Sequence, residues 1–190
     1  MSDYTDILYK YRTIDNFKFF TDIILNNRLF AANYKSLNDP MEGHYLYQEA
    51  ELNEYLRDII YNQKQEIKLC SLTKDDDNFL MWSHYANGHK GLIIGVRVDK
   101  EKYNVKEIDY TENLPHITNL NRGTAENILS KKMDFWKYEN EVRVFTNSSF
   151  IEVKIDKIII GSKMSEDDYE FIKSLVKKIN PDIFIQRKIG

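Results

Sequence analysis

The chain has 190 residues, of which 42% are hydrophobic, 13% aromatic and 30% charged. This length and apolar content predict one domain, residues 1–190, with a proper hydrophobic core. The 27 basic and 30 acidic residues give a net charge of −3 without a basic stripe, so a general nucleic-acid binder is not expected.

Cysteine usage and hydropathy narrow the class of protein further. The single cysteine, Cys70, excludes an internal disulfide and a cysteine-based zinc site. No apolar stretch approaches the ~20 residues that span a bilayer, and the N-terminus lacks the apolar segment of a signal peptide. The sequence therefore predicts a cytoplasmic protein that makes no use of a membrane.

Hydrophobic periodicity predicts alternating runs of strands and helices along the chain. The predicted strands cover residues 7–12, 29–32, 67–73, 92–98, 103–110, 141–145, 150–155, 157–160 and 183–187. The predicted helices cover residues 14–26, 46–63, 78–87, 124–133 and 165–179. Because the strands come in runs rather than in strict βαβ order, we expect an α+β fold with a mostly antiparallel sheet and flanking helices. A split into two packed sheets stays open.

The segment around Glu141 carries the densest charge pattern. If residues 139–144 form one strand, Glu139, Glu141 and Arg143 point to the same face. Two carboxylates and a guanidinium on one sheet face bind a polar substrate or stabilise developing positive charge. The alternative is an ordinary strand whose charges lie in water.

A second segment gathers aromatic and imidazole side chains near a helix end. It contains Trp82, His84 and Tyr85, followed by His89 in a glycine-flanked turn. The spacing of His84 and His89 separates them around a helix, so no metal site is expected here. The alternatives are a pocket wall and ordinary core packing.

Two further strands carry polar side chains suited to ligand binding. Arg12 ends the first predicted strand, where a guanidinium can hold a phosphate or carboxylate with two hydrogen bonds. Ser71 and Thr73 share one face of the strand at residues 67–73. Each pattern alone is equally typical of a protein surface.

Taken in order, these segments resemble the bacterial domain-of-unknown-function family 2971. The resemblance covers roughly residues 7–161. It rests on the following segments: Leu8-Tyr9-Lys10-Tyr11-Arg12, Asn38-Asp39-Pro40-Met41-Glu42, Cys70-Ser71-Leu72-Thr73, Trp82-Ser83-His84-Tyr85-Ala86 with His89-Lys90-Gly91, and Trp136 to Arg143. It implies a setting in phage defence or abortive infection, but no activity.

The order of Arg12, Ser71-Leu72-Thr73 and Glu139-Asn140-Glu141 also resembles ADP-ribosyltransferases of the Arg–Ser–Glu type. That resemblance implies NAD as a substrate, with Arg12 on its phosphates and Ser71 at the nicotinamide ribose. Glu141 would stabilise the oxocarbenium-like transition state and Glu139 would orient the acceptor. The second serine of the middle motif is missing, because Lys74 follows Thr73.

Two functional hypotheses follow. The first is an NAD-consuming transferase or glycohydrolase with Glu141 and Glu139 as catalytic residues. Its ligand would be bound by Arg12, Ser71, Trp82, His84, Tyr85 and Arg143. The second is a non-catalytic ligand-sensing or partner-neutralising protein of a defence or toxin–antitoxin system, which binds a nucleotide or another protein. They differ at Glu141, which faces a cleft in the first hypothesis and forms a structural ion pair in the second.

Overall fold

The computed structural model describes residues 3–121 and 123–189. The helices are α1 (Phe17–Asn26), α2 (Glu54–Glu66), α3 (Phe79–Tyr85), α4 (Thr124–Ile128) and α5 (Glu166–Ile179), with 3-10 helices at Tyr34–Ser36 and Asp134–Glu139. The strands are β1 (Leu8–Arg12), β2 (Arg28–Phe30), β3 (Ala32–Asn33), β4 (Lys68–Thr73), β5 (Leu92–Arg97), β6 (Asn104–Glu107), β7 (Asp109–Thr111), β8 (Lys131–Met133), β9 (Glu141–Thr146), β10 (Phe150–Glu152), β11 (Lys154–Ile160) and β12 (Phe184–Arg187).

The main sheet has eight strands. Seven follow the order β12-β11-β5-β1-β4-β9-β6, and β3 pairs with β4. β5 is antiparallel to both β1 and β11, whereas β11 and β12 are parallel. The predicted α+β class with a mostly antiparallel sheet is confirmed. An arrangement like that of ADP-ribosyltransferases stays a prediction.

The chain divides into two compact units. Unit 1 comprises Met1–Leu29, Leu72–Tyr103 and Glu152–Gly190, and unit 2 comprises Phe30–Ser71 and Asn104–Ile151. Each unit is built from separate segments of the chain, so neither unit is one continuous stretch of sequence. The prediction of one domain over residues 1–190 stays a prediction.

Unit 1 is organised around β5, which is apolar on both faces. Leu92, Ile93, Ile94 and Val96 are all fully buried, as the continuous apolar run requires. β1 lies beside β5 from Leu8 opposite Val96 to Arg12 opposite Leu92. The C-terminal helix α5 begins where predicted, because the Ser165 hydroxyl accepts the backbone N–H of Asp168.

Unit 2 contains two apolar clusters. One is formed by Tyr34, Leu69, Leu129 and Phe145. The other joins α2 to α4 and is formed by Leu52, Ile60, Ile117 and Ile128. The β6–β9 pair lies in the same unit, with Lys106 opposite Arg143.

Several predicted elements are wrong in their bounds, and three of these differences bear on the site. The helix predicted at 46–63 begins at Glu54, because the Asn53 side chain caps it by accepting the N–H of Leu56. The helix predicted at 124–133 ends at Ile128, and residues 131–133 form β8. Glu139 belongs to a 3-10 helix, and Asn140 with φ 43° turns the chain before β9 begins.

Candidate functional site

Unit 2 contains a chain of buried charged side chains. Arg143 is 1% exposed, and its neighbours Glu141 and Glu42 are 5% and 6% exposed. Lys132 and Glu139 extend the chain and are buried to a similar degree. We call these five residues the buried ion network. Charged side chains are rarely this buried unless they are paired, and here each one is.

Arg143 is the centre of the network because every N–H of its guanidinium is used. Nη1 and Nη2 donate to the two oxygens of Glu42 at 2.5 and 2.7 Å. Nε and Nη2 donate to Glu141 at 2.7 and 3.1 Å, and Nη1 also donates to the carbonyl of Leu129 at 2.7 Å. Two bidentate carboxylates and a carbonyl therefore account for all five donors. Arg143 has no donor left for a ligand.

The Glu141 carboxylate is equally engaged. It accepts from Arg143, from Lys132 Nζ at 3.2 Å and from the Ser71 hydroxyl. Its backbone N–H donates to the Tyr110 hydroxyl at 2.8 Å. Burial alone would raise the pKa of Glu141, but Arg143, Lys132 and the Ser71 hydrogen bond lower it to about 2. The side chain is therefore a buried carboxylate, held ionised by its partners.

Lys132 links Glu141 to Glu139. Its Nζ donates to Glu139 at 2.5 Å and lies 4.7 Å from the centroid of the Trp136 ring. Burial would lower the pKa of Lys132, but the two carboxylates raise it. Glu139 thus joins Glu141 although it does not lie on the same strand. The prediction that Glu139, Glu141 and Arg143 share a strand face was wrong in its geometry, yet the three residues belong to one network.

The loop that carries Glu42 is fixed at two neighbouring residues. Arg143 holds Glu42, and Lys64 Nζ donates to the carbonyl of Gly43 at 2.7 Å. Gly43 has φ +74°, and a side chain there would lie 2.8 Å from the Tyr34 ring, so this position requires glycine. Burial lowers the pKa of Lys64 to about 8. The Asp39–Gly43 loop is therefore a rigid part of unit 2.

A small cleft adjoins the network. Its lining includes Asp39 from this loop, His44 directly after it, Thr111 from β7, and Lys131 and Lys132 from β8. Its cavity volume is about 10 Å³, which is room for about one water molecule. In this conformation the cleft has room for a small polar group.

The network carries more negative than positive charge. Three carboxylates against two cations give a formal charge of 2 − 3 = −1. Burial is the main cause that raises the pKa of Glu42, opposed by Arg143 and reinforced by Glu141. The pKa of Glu42 is thus shifted upward while that of Glu141 is shifted downward, so of these two carboxylates Glu42 binds a proton more readily.

The predicted site residues fall into both units. Ser71, Glu139, Glu141 and Arg143 belong to unit 2, where they meet in the buried ion network. The other four predicted residues belong to unit 1: Arg12, Trp82, His84 and Tyr85. A single cleft shared by all of them stays a prediction.

In unit 1, Trp82 is the buried centre of an aromatic cluster. It is fully buried, Tyr11 packs edge-on against it, and the His89 ring stacks on it at 5.0 Å with 6° between the planes. The Trp82 Nε1 donates to the carbonyl of Asp76 at 3.3 Å. His84 lies on the exposed side of α3, with its ring edge-on to that of Tyr85. Trp82 is thus a core residue, and His89, not His84, is the imidazole that packs against it.

Arg12 ends β1 at a tight approach of two backbone segments. A Cβ on Gly91 would lie 2.2 Å from the Arg12 carbonyl oxygen, so only glycine fits beside it. The Arg12 side chain is half-buried. Its position on β1 agrees with the strand that the alternation predicts.

Sequence reasoning gave no role to Glu42, Lys132 or Lys64. Glu42 lies in the Asn38–Glu42 motif, but its partner Arg143 is 101 positions away. Lys132 was assigned to a helix, where its side chain counts as a solvated charge. The one local indication of a role for Glu42 is that it follows the turn motif Asp39-Pro40.

The geometry defines an α+β protein with a buried ion network in one unit and a stacked imidazole in the other. Residues 81–144 match the model of a family described as a protein of unknown function, DUF2971. This matched segment includes Trp82, His89, Glu139, Glu141 and Arg143. No curated protein and no solved structure matches the chain.

Two further features of the described residues bear on membranes and metals. None of the helices formed by residues 3–121 and 123–189 has both the length and the apolar character to cross a membrane. Within the same residues, no group of three or more His, Cys, Asp or Glu side chains is arranged to hold a metal ion.

Proposed function

We propose that this protein is a non-catalytic binding protein, of the ligand-sensing or partner-neutralising kind, in a bacterial defence or toxin–antitoxin setting. The observation that supports this proposal is the state of Glu141. Its carboxylate is 5% exposed and accepts hydrogen bonds from three side chains of the same unit. This is the structural ion pair that the binding hypothesis expects.

Catalysis at Glu141 would require this network to open. A carboxylate that stabilises an oxocarbenium ion must approach the ribose, whereas this one is enclosed by Arg143 and Lys132. Removing one partner from a buried ion pair costs roughly 3–5 kcal/mol. The free energy of substrate binding would have to offset that cost before the reaction could start. The protein therefore uses Glu141 for stability.

A second candidate function is an NAD-consuming transferase or glycohydrolase. One contact favours it: the Ser71 hydroxyl hydrogen-bonds the Glu141 carboxylate. The transferase resemblance assigns both residues to the nicotinamide ribose, so their contact agrees with it. On this hypothesis NAD is a substrate, Glu141 and Glu139 are catalytic, and the remaining predicted residues bind the dinucleotide.

Nicotinamide release separates the two functions. The purified protein is incubated with NAD and candidate acceptors, and free nicotinamide is measured for the wild type and for Glu141→Gln. We expect no release from either protein, and a loss of roughly 3–5 kcal/mol of unfolding free energy in the variant. Glu112→Gln, at an exposed position of the same unit, is the matched control and should melt like the wild type.

The opposite result would replace the proposed function by the second candidate. That result is nicotinamide release by the wild type, lost by a hundredfold or more in Glu141→Gln while its fold is retained. Such a loss corresponds to about 3 kcal/mol of transition-state stabilisation, as expected for one well-placed electrostatic group.

A further inference from the structure

His89 in unit 1 has an unusual environment for a histidine. It is 9% exposed, and its Nδ1 is buried without a hydrogen-bond partner among the described residues. Buried polar atoms are nearly always paired, so an unpaired ring nitrogen carries a free-energy cost. The stack on Trp82 fixes the plane of the ring. The protein thus holds an imidazole in place although its Nδ1 has no hydrogen-bond partner among the described residues.

The backbone conformation of His89 is also unfavourable in free energy. Asn87, Gly88 and His89 have successive φ angles of 50°, 58° and 72°, all in the left-handed region. Glycine and asparagine adopt this region readily, whereas a histidine there is uncommon. The surrounding chain holds this conformation: Gly161 packs so closely that a Cβ there would lie 2.1 Å from the His89 carbonyl oxygen. Strained residues held by their surroundings are concentrated at functional sites.

The unpaired Nδ1 selects the tautomer of His89. A buried N–H without an acceptor is rarer than a buried acceptor without a donor. Nδ1 therefore carries no proton, and the proton of the neutral ring is on Nε2. Burial, with a smaller effect of Lys163, lowers the pKa of His89, which keeps the ring neutral. Nδ1 is the ring nitrogen that is buried without a partner, so Nε2–H is the donor that the ring offers to a ligand. An incoming oxygen is its natural acceptor.

Two neighbours of His89 extend this donor into a binding surface. The Phe79 ring lies 5.7 Å from the His89 ring and is 70% exposed, which leaves one of its faces open to solvent. The Lys163 backbone N–H donates to the His89 carbonyl at 3.0 Å, and the Lys163 side chain is exposed. An open aromatic face and a neutral N–H donor therefore lie side by side, and the charge of Lys163 is near enough to lower the pKa of His89.

We propose that Phe79, His89 and Lys163 bind a ligand that combines a planar aromatic ring with an anionic group, as a nucleoside monophosphate does. The ring stacks on the open face of Phe79, and the anionic oxygens accept from His89 Nε2 and Lys163. Proteins bind single-stranded nucleic acids by stacking aromatic side chains on bases and placing cations near phosphates, and a nucleoside monophosphate offers both groups. The proposal deepens the proposed binding function by assigning it a ligand class, and it stands on residues of unit 1 alone.

The test is a titration with adenosine 5′-monophosphate, followed by NMR of the His89 imidazole nitrogens. We expect saturable shifts at His89, with Nε2 protonated in the free protein. Phe79→Ala should weaken binding about tenfold or more, the loss expected for one stacked base. Lys163→Gln should weaken the binding of the monophosphate more than it weakens the binding of adenosine. His89→Asn, which tolerates the left-handed backbone, should also lose affinity while its melting temperature is kept.

Matched controls come from the same unit. Phe171 is 57% exposed and Lys173 lies on the same helix, so Phe171→Ala and Lys173→Gln should bind like the wild type. The proposal is overturned if no saturable shift appears at His89, if the control variants lose as much affinity as Phe79→Ala, or if inorganic phosphate binds as tightly as the monophosphate. Nicotinamide release is independent of these outcomes, so failure of the ligand site and failure of the proposed function are distinguishable.

Discussion

Arg143 is the residue on which the buried ion network depends. Its five N–H groups match two carboxylates and one carbonyl in a planar arrangement that an ammonium group does not reproduce. Glu42 lies 101 positions away from Arg143, whereas Glu141 lies two positions away on the same strand, so the guanidinium joins a distant loop to β9. Its role is to fix this part of unit 2 in one conformation.

Arg143→Lys should therefore be severely destabilising despite the retained charge. We expect a loss of about 3–5 kcal/mol in chemical denaturation, because a buried carboxylate is left without its partner. Arg97→Lys is the matched control, since the Arg97 side chain is 34% exposed in its pair with Asp156. Exposed pairs contribute about 1 kcal/mol or less, so the control should change little. Equal effects of the two substitutions would contradict a special role for Arg143.

These charged residues also show why the site was only partly predicted. The pattern Glu139-Asn140-Glu141-Val142-Arg143 identified three members of the network from the sequence. Glu42 and Lys132 were not recognised, because the sequence does not distinguish a buried charged residue from a solvated one. The two differ only in their long-range partners. His89 was considered as a metal ligand, whereas its positive φ and its stack on Trp82 depend on the folded chain.

At the scale of elements, the long buried strands were predicted accurately, whereas the strand predicted at 103–110 is in fact β6 and β7, which belong to different sheets. β5 and β1 follow directly from their apolar and alternating patterns. The helix around Leu56 was predicted several residues too early, since periodicity does not locate a helix start but the cap at Asn53 does. β8 was assigned to a helix because its three residues are too few to show a period. Local patterns therefore predict long elements, while short ones depend on tertiary pairing.

The approach of β1 to the turn before β5 gives a prediction at this scale. Gly91→Ala should destabilise unit 1 by about 1–3 kcal/mol, because the new methyl group would overlap the Arg12 carbonyl oxygen and the backbone must shift. Gly123→Ala is the control: its nearest neighbour would be the Asn121 side chain at 3.5 Å, an ordinary contact. Thermal melts of the two variants should differ clearly. A Gly91→Ala protein that melts with the wild type would show that this approach is not tight.

At the scale of the whole molecule, the chain combines a mildly acidic surface with a few deeply buried charges. Its formal charge is −3 and its sequence pI is about 5.9. Most of its ion pairs are partly exposed, such as Lys106 with Glu126, and contribute little individually. The response of the folded protein to acid therefore depends mainly on the buried carboxylates, and above all on Glu141 and Glu42.

Glu141 and Glu42 should respond to acid with opposite signs. The pKa of Glu141 falls from 4.5 to about 2 on folding, so its ionised form stabilises the protein above about pH 4.5. That contribution, about 3 kcal/mol, is lost as the pH falls from 4.5 towards 2. The pKa of Glu42 is raised on folding, so its protonation favours the folded state and partly offsets the loss.

Urea unfolding of the wild type and Glu141→Gln between pH 7 and pH 3 measures this balance. The difference in unfolding free energy should be largest at neutral pH, stay constant down to about pH 5, and shrink below it, because only the wild type loses the Glu141 contribution. Dilute protein is needed near the pI of about 5.9, where the net charge vanishes and association is favoured. A difference that does not change with pH would show that Glu141 titrates normally, and hence that the network does not hold it ionised. In that case the argument for a structural Glu141 would fail together with the acid profile.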